Sequence, residues 1–361
     1  MAPLDLKIDD IAFGGKGVAR HEGKAVFVPF TLEGERVSAR LTREKKKFAE
    51  AELVALLEPS TDRVEPPCPY FGRCGGCAYQ HMDYPHQLAV KARQVEQALR
   101  RIGRLTDIPM QPIIPSPLPL GYRNRITVHA QDGVVGFFRK DAHELMDIAQ
   151  CPIARPEVNE ALAQLRSRRV RDGHFTLRAH AGPRVFEQTN DPVAESLRAL
   201  VVAAIPPDAP LVIDAYCGAG FFTKSLVATC ARVIGIDWDR FAIQAAQNEA
   251  TPREEYIGGD VGEELRKILE ANGAMSEIAV IVDPPATGLD APTRATLLEF
   301  ATRTLVYVSC NPATLARDLG ELGTKYALVS VTPLDMFPQT AEIETAVRLR
   351  RRDGEKVLAG G

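Results

Sequence analysis

Residues 211–221 read LVIDAYCGAGF, an apolar run that ends in an acid and a turn holding Gly218 and Gly220. The apolar run indicates a buried strand, and glycines directly after a strand let the backbone approach a ligand closely. Farther along, residues 222–230 and 241–249 predict helices, while residues 233–236, 278–282 and 305–309 predict buried strands. This alternation predicts a doubly wound, Rossmann-like α/β sheet over residues 193–361.

The second predicted strand of this sheet ends in Asp237, 19 residues after Gly218. An acid at about that distance suits hydrogen bonding to the ribose hydroxyls of a nucleotide-type cofactor. The spacing fits a dinucleotide dehydrogenase as well as a methyltransferase. Thr223 stands where the last glycine of the GxGxxG pattern would be, and this favours a methyl donor.

Two later motifs follow buried strands of the same sheet. Asp283 opens an Asp-Pro-Pro sequence, and Cys310 lies in YVSCNP at residues 307–312. The ends of parallel strands form the ligand-binding edge of such a sheet, so we expect both side chains there. A buried cysteine is more often inert packing, but the polar neighbours and the proline place this thiol in a cleft. If residues 342–349 form a strand, Glu342 and Glu344 point the same way and offer carboxylates for proton transfer.

A second group of cysteines comes earlier, in CPYFGRCGGC at residues 68–77. It contains three cysteines in a tight glycine-rich loop, and the isolated Cys151 is the candidate fourth ligand. Four thiolates suit either zinc or an iron–sulfur cluster. Zinc sites usually pair two short knuckles, so three clustered cysteines and a remote one favour iron–sulfur. The predicted ligands are Cys68, Cys74, Cys77 and Cys151.

The rest of the chain divides into two smaller units. Residues 1–58 hold several short strand patterns and predict an OB-like β-barrel. Residues 59–192 hold the cysteine loop, a helix over residues 86–102, a proline-dense linker over residues 109–119 and renewed strand patterns. They predict a small α+β unit.

Charge and the N-terminal sequence limit the partners and the location of the protein. The net charge is −3, but bases outnumber acids between residues 91 and 140, so one surface suits RNA even though a solvated helix face explains the charges equally well. No apolar run is long enough to span a bilayer. The start, MAPLDLKIDD, has neither a basic segment nor a hydrophobic stretch. We therefore expect a cytoplasmic monomer without a membrane partner.

Across nearly its whole length the chain resembles the RNA uracil-5-methyltransferases that carry a TRAM domain and a 4Fe-4S cluster. The resemblance lies in GGKGVAR and VFVPFTLEGERV near the N-terminus, the cysteine loop, FEQTN at residues 186–190, DAYCGAG, YVSCNPATLARD and DMFPQTAEIE. It implies a TRAM domain at residues 1–58, an Fe-S and RNA-contacting domain at 59–192 and an S-adenosylmethionine-dependent domain at 193–361.

The resemblance also implies roles for individual residues. Cys310 is the implied nucleophile and Glu344 the implied base that removes the proton from carbon 5. The implied cofactor contacts are Gln188, Tyr216, Gly218, Gly220, Asp237, Asp260 and Asp283. The implied substrate is RNA, with ribosomal RNA first and transfer RNA second.

The chain departs from the family pattern at four positions. Ala286 replaces an arginine, Glu342 a histidine, Asp237 a glutamate and Phe221 a small polar residue. None of these changes removes a group that the chemistry requires. Ala286 and Glu342 leave open a catalytically decayed RNA-binding homologue, and cytosine-5 methylation is a further rival that lacks its usual nucleophile placement here.

Overall fold

The computed structural model describes residues 2–140, 142–180, 188–272 and 277–352. The chain begins with a closed barrel of five strands, which confirms the predicted OB-like barrel. The strands are β1 (Leu4–Ile11), β2 (Lys16–His21), β3 (Lys24–Pro29), β4 (Arg36–Glu44) and β5 (Phe48–Glu58). Alternate side chains such as Ile8, Val28 and Val37 fill the interior, as the two-residue period of a strand requires.

Helix α1 (Tyr84–Arg101) follows the cysteine loop and begins two residues earlier than predicted. Asp83 caps it by accepting a hydrogen bond from the His86 N–H at 2.8 Å. Several bases of this helix are engaged within the protein, and whether the rest of the basic stretch faces RNA stays a prediction. Arg93 pairs with Glu33 and Arg100 with Glu96, while Lys91 is fully buried.

A four-stranded antiparallel sheet forms next, in the order β8-β7-β6-β9. Its elements are β6 (Arg125–Gln131), β7 (Val134–Phe138), β8 (Leu145–Asp147), α2 (Pro156–Arg166) and β9 (Gly173–Arg178). Apolar side chains of α2, such as Val158 and Leu162, pack against Val128 and its neighbours on one face of this sheet. The predicted α+β character of this part of the chain is therefore confirmed.

The C-terminal half forms a seven-stranded sheet in the order β12-β11-β10-β13-β14-β16-β15. Its elements are α3 (Asp191–Ala204), β10 (Val212–Ala215), α4 (Thr223–Leu226), β11 (Val233–Asp237), α5 (Arg240–Asn248), β12 (Glu254–Gly258), α6 (Val261–Ala271), β13 (Ala279–Val282), α7 (Ala291–Glu299), β14 (Thr304–Ser309), α8 (Pro312–Leu322), β15 (Tyr326–Leu334) and β16 (Glu344–Arg351). The doubly wound sheet is confirmed, although α4 is a single turn rather than the helix predicted over residues 222–230.

Two apolar layers cover the faces of this sheet. Helices α1, α6, α7 and α8 pack on one face, around Ile213, Val280 and Tyr307. Helices α3 and α4 pack on the other, around Val212, Ile281 and Val306. The first five strands in the sheet order are parallel. The four inner ones, β11, β10, β13 and β14, are buried along their whole length, which explains why their sequences are mostly apolar, whereas the edge strand β12 is not.

The proline-dense segment is not a free linker. It runs beside β15, where the Gln111 N–H donates to the Val331 carbonyl and the Ile114 N–H to the Pro333 carbonyl. It thereby covers the edge of the seven-stranded sheet, which would otherwise be open to pairing. Among the helices described, none is both long and apolar enough to cross a bilayer.

Candidate active site

Three side chains meet where β13, β14 and β16 reach one edge of the seven-stranded sheet. Asp283 directly follows β13, Cys310 directly follows β14, and Glu344 is the first residue of β16. Because β16 runs antiparallel to β14, its start lies beside the end of β14, and Ser309 pairs with Thr345. The sheet topology thus brings together the thiol and the two carboxylates that the sequence predicted.

The electrostatics of this edge are those of a partly buried acidic cluster. Burial, followed by the charges of Glu344 and Asp283, raises the pKa of the Cys310 thiol to about 12. Burial, with Asp283 and Glu342, also raises the pKa of Glu344. Burial and the nearby Asp214 and Asp237 raise that of Asp283. The thiol is consequently protonated at neutral pH, and the carboxyl groups hold protons more tightly than in water.

The prediction that Glu342 and Glu344 share one strand face is wrong. Strand β16 begins at Glu344, and Glu342 lies in the preceding loop with an exposed side chain. Glu344 is only 4% exposed. A buried carboxyl with a raised pKa beside a thiol is the better acceptor for a substrate proton.

The loop before Glu344, residues 335–343, is tied to α1 and the cysteine loop. The buried Lys91 ammonium contacts the Asp335 carboxylate at 2.6 Å and donates to the Phe337 carbonyl at 2.9 Å. Gln87 and Gln339 exchange two hydrogen bonds, and the Gln339 carbonyl accepts from the Tyr79 N–H at 2.9 Å. The position of Glu344 therefore depends on elements far away in the sequence.

Gln188 lies in a segment attached to the same loop. The Asn124 side chain donates to the Gln188 carbonyl at 2.8 Å. Asn190 donates to the Met336 carbonyl at 3.3 Å, only eight residues before Glu344. Phe186 and Glu187, which open the predicted FxQxN motif, lie outside the described residues.

The glycine-rich turn after β10 is the place where the sequence predicts the cofactor to bind. Tyr216 and Gly220 both have positive φ, of 66° and 86°, and a Cβ on Gly220 would lie 2.5 Å from the Tyr256 hydroxyl. A non-glycine residue in this conformation is strained, which is typical of ligand-binding turns. The Tyr216 hydroxyl approaches the Thr293 hydroxyl at 3.3 Å.

Two acids shape this turn. The Asp237 carboxylate accepts hydrogen bonds from the Gly218 and Asp239 N–H groups, both at 2.8 Å, which orients it at the end of β11. Asp214 belongs to the DAYCGAG motif but received no role from the sequence. It is fully buried, and its carboxylate accepts hydrogen bonds from the Thr223 N–H at 3.0 Å and from the Thr223 hydroxyl at 2.6 Å. These bonds join the two ends of the turn.

Asp260 has a structural function that the sequence did not indicate. It caps α6 by accepting a hydrogen bond from the Glu263 N–H at 3.0 Å. This N-cap position explains the residue type without a ligand. Its assignment as a cofactor contact remains a prediction.

Helix α8 clamps the loop that follows Asp283. The Ala286 carbonyl accepts from the Asn311 side chain and the Thr314 hydroxyl, both at 3.1 Å. Arg317 donates to the carbonyls of Thr287 and Leu289 at 3.1 and 3.2 Å. Since α8 starts two residues after Cys310, the thiol segment and the Asp-Pro-Pro loop form one unit, even though position 286 carries alanine.

Asp318 completes this clamp. Its buried carboxylate accepts from the Tyr307 hydroxyl at 2.7 Å and the Leu289 N–H at 2.9 Å. Gly288 has a φ of 76°, and a Cβ there would lie 2.6 Å from both Arg317 and Asp318. The sequence did not predict the clamp, although its residues lie in the ARD end of the YVSCNPATLARD motif.

The four predicted cysteine ligands line a single cavity of about 620 Å³. Hydrogen-bond donors point at their sulfurs: the N–H of Gly76 at Cys74, and those of Ile153 and Ala154 at Cys151. A Cβ on Gly76 would lie 3.6 Å from the Cys74 sulfur, so the loop wraps closely round the thiol.

Within the described ranges, no group of three or more His, Cys, Asp or Glu side chains is arranged to hold a metal ion. Four thiols at one cavity, with N–H groups aimed at two of the sulfurs, are a donor set that can hold a metal centre.

Two family profiles match the chain. The profile described as tRNA (uracil-5-)-methyltransferase matches residues 267–352, which include Cys310, Glu344 and the α8 clamp. The profile of the TRAM domain matches residues 4–54, which form most of the barrel.

Several proteins are similar over their full length. An uncharacterized RNA methyltransferase of Bdellovibrio bacteriovorus is 34% identical and covers 96% of this chain and 95% of its own. Another, from Nitratidesulfovibrio vulgaris, is 30% identical and covers 99% and 97%. Among solved structures, the tRNA (uracil-54, C5)-methyltransferase of Pyrococcus abyssi in complex with S-adenosyl-L-homocysteine superposes with a TM-score of 0.69. It is 23% identical and covers 96% of this chain and 100% of its own, so it shows a shared fold.

We expect Gly288→Ala to loosen the α8 clamp. The left-handed conformation alone costs a non-glycine residue roughly 1–2 kcal/mol, and the clash with Arg317 and Asp318 adds to it. Gly23→Ala is the matched control, because Gly23 has a φ of 77° and a Cβ there would have no atom within 4 Å. Thermal unfolding and hydrogen exchange at the Leu289 amide measure the effect. Equal melting temperatures with unchanged Leu289 protection would contradict the clamp.

Proposed function

This chain belongs to the family of S-adenosylmethionine-dependent RNA uracil-5-methyltransferases, and we propose that it methylates carbon 5 of one uridine in ribosomal RNA through covalent catalysis by Cys310. The observation that carries the proposal is the meeting of Cys310 and Glu344 at the end of paired strands β14 and β16. A thiol and a buried carboxyl side by side are the two groups that this reaction needs.

The chemistry explains the need for both groups. Carbon 5 of uracil is too weak a nucleophile to take a methyl group unaided. When the Cys310 sulfur bonds to carbon 6, the ring becomes an enolate and carbon 5 attacks the methyl group of the sulfonium, releasing S-adenosylhomocysteine. The Glu344 carboxylate then takes the carbon 5 proton, the sulfur–carbon 6 bond breaks, and 5-methyluridine is left.

The state of the thiol sets a condition on the first step. Because the pKa of Cys310 is raised to about 12, the free protein carries almost no thiolate at neutral pH. The thiol therefore gives up its proton only in the substrate complex, to the neighbouring Asp283 carboxylate, and the departing thiolate takes that proton back when the sulfur–carbon 6 bond breaks. Glu344 stays free to accept the carbon 5 proton, which it then releases to solvent with the product. This arrangement protects the sulfur from adventitious alkylation while no uridine is present.

The methyl donor would be held by the turn after β10 and the end of β11. Gly218 and Gly220 allow the close approach of its backbone, Tyr216 lines the turn, and the oriented Asp237 carboxylate suits the ribose hydroxyls. We assign Gln188, Asp260 and Asp283 as further contacts to the donor or the target uracil. Bound there, S-adenosylmethionine supplies an electrophilic methyl group.

We propose that Cys68, Cys74, Cys77 and Cys151 hold a 4Fe-4S cluster with a structural role. Support comes from the shared cavity and the N–H donors aimed at the sulfurs. Four thiolates would fill all the iron coordination positions of the cluster, which favours structure over redox catalysis. It would fasten the loop at residues 68–77 to the four-stranded sheet.

The partner is RNA, and the choice among RNAs is our proposal. We place ribosomal RNA first because a TRAM domain and the cysteine loop occur together. Transfer RNA is the second candidate, favoured by the description of the profile that matches residues 267–352. A base must leave its stack to reach Cys310, which costs a few kcal/mol. We further propose a cytoplasmic monomer with domain boundaries after residues 58 and 192.

Replacing Cys310 by alanine is expected to abolish methyl transfer to RNA and to leave donor binding unchanged, because the sulfur forms the bond to carbon 6 and the donor turn lies after another strand. Turnover is measured as the transfer of tritiated methyl groups from the donor to RNA isolated from a strain that lacks the gene. Calorimetry measures donor binding. Cys230→Ala, at a buried cysteine that follows no strand of the site, is the control. Activity retained in Cys310→Ala would refute the nucleophile, and an inactive wild type would favour the decayed RNA-binding homologue.

Protein purified without oxygen is expected to be brown and to contain about four irons and four sulfides per chain. Cys151→Ser should lose iron and melt at a lower temperature, since it removes one ligand, while Cys230→Ser should keep its iron. Elemental analysis and visible absorption provide the readout. One zinc per chain in place of iron would contradict the cluster.

A further inference from the structure

The loop over residues 335–343 joins β15 to β16 and ends directly before Glu344. Four consecutive carbonyl groups in it, those of residues 336–339, each accept a hydrogen bond from a distant part of the chain. The donors are the Asn190 side chain at 3.3 Å, the Lys91 ammonium at 2.9 Å, the Tyr122 hydroxyl at 3.1 Å and the Tyr79 N–H at 2.9 Å. Carbonyl groups in loops usually bond to water, so this loop is held from outside far more than most.

Gln339, near the middle of the loop, has a backbone conformation that glutamine seldom adopts. Its φ is 69°, in the left-handed region. A strained residue of this kind persists only where its surroundings hold it in place, and such residues cluster at functional sites. Here Gln87 of α1 exchanges two hydrogen bonds with Gln339, at 3.0 and 3.1 Å, and the Pro119 carbonyl accepts a third from its side-chain amide at 3.2 Å. Helix α1 therefore helps to keep the loop in a shape that it would not adopt by itself.

Lys91, one turn farther along α1, holds the start of the loop through a charge. Its ammonium lies 2.6 Å from the Asp335 carboxylate, and both side chains are fully buried. The ammonium also lies 6.0 Å from the centre of the Tyr79 ring. A buried ion pair adds little stability compared with apolar side chains of similar volume, because both charges lose their hydration. It does restrict its surroundings to arrangements in which the two charges stay together.

The thiol and the carboxyl group of the site depend on this loop to different degrees. Cys310 lies between the end of β14 and the start of α8, so regular elements flank it on both sides. The ladder between β14 and β16 ends at Thr345, and Glu344 pairs with Leu334 of β15, the residue from which the loop departs. A shift of the loop therefore displaces Glu344 while Cys310 stays in place.

We propose that Lys91 and Gln87 are positioning residues for the base: they hold the 335–343 loop so that the Glu344 carboxylate meets the proton on carbon 5. This inference rests on the proposed function for the identity of the reaction. The two residues matter after methyl transfer, when the carbon 5 proton must leave, and not for the attack of Cys310 on carbon 6.

A failure at this step leaves a covalent product. After methyl transfer the ring is bonded to the Cys310 sulfur through carbon 6, and carbon 5 carries both the new methyl group and its proton. When Glu344 takes that proton, the electrons of the carbon 5–hydrogen bond form the double bond to carbon 6 and the sulfur leaves with the electrons of its own bond. If Glu344 is displaced, the proton stays and the protein stays joined to the RNA. A general folding defect would instead reduce every product.

Two variants loosen the loop without leaving a charge unpaired in the interior. Lys91→Met combined with Asp335→Asn removes both charges at similar side-chain volume. Gln339→Gly keeps the backbone conformation, which glycine adopts without strain, and removes the side-chain bonds to Gln87 and Pro119. Arg93→Met is the matched control, because Arg93 lies on the same helix and pairs with Glu33 of the barrel. Glu344→Gln is the reference for a missing base.

Methyl transfer to uridine RNA is measured with the full-length proteins, and the protein–RNA adduct is measured on denaturing gels. We expect both loop variants to turn over about tenfold more slowly, with a KM for RNA that does not rise, and to accumulate methylated adduct as Glu344→Gln does. Arg93→Met should behave like the wild type. Wild-type turnover in both loop variants would overturn the proposal, and so would slow turnover without adduct. If the double variant does not fold, Gln339→Gly decides alone.

Alkylation of Cys310 tests the position of Glu344 without RNA. After burial, the charge of Glu344 is the largest cause of the raised pKa of Cys310, so displacing that charge should lower this pKa. We expect iodoacetamide to modify Cys310 roughly three- to tenfold faster at pH 8 in both loop variants and in Glu344→Gln, with the site mapped by peptide mass spectrometry. Loop variants that react like the wild type would overturn the positioning role. A wild type that methylates no RNA, with alkylation faster in the variants, would overturn the proposed function alone.

Discussion

The antiparallel pairing of β16 with β14 is the constraint on which the site depends. Ser309 pairs with Thr345, so Cys310 and Glu344 both lie at the end of this ladder, one on each strand. A parallel strand in this position would have put the carboxylate at the opposite edge. The reversal of the last strand therefore places the thiol and its neighbouring acid together, and burial raises the pKa of both.

The start of β16 is in turn held by a buried ion pair. Lys91 and Asp335 are both fully buried, and their contact joins α1 to the loop before Glu344. Removing one partner of such a pair typically costs about 3–5 kcal/mol, because the other charge is left unpaired in the interior. The same loop receives hydrogen bonds from Gln87 and Tyr122. The sheet edge that holds Cys310 and Glu344, the cysteine loop and α1 are consequently parts of one connected structure.

Local patterns in the sequence predicted the strands and their ends, because buried parallel strands are continuously apolar and glycines mark the turns after them. These local patterns could not predict which side chains that are distant in sequence contact each other. Glu342 was placed on a strand that begins two residues later, and the local pattern could not distinguish the buried Lys91 from the exposed bases of α1. Gly288 gave no signal, since its clash involves Arg317 and Asp318 on a helix that only the folded chain brings near.

Covalent trapping with an RNA that carries 5-fluorouridine tests the central claim most directly. Fluorine at carbon 5 cannot leave as a proton does, so a reacting enzyme stays joined to the methylated ring through its sulfur. The account predicts an adduct in the presence of S-adenosylmethionine, mapped by peptide mass spectrometry to Cys310 and absent from Cys310→Ala. An adduct on another cysteine, or robust methylation of unmodified RNA with no adduct on the fluorinated one, would contradict it.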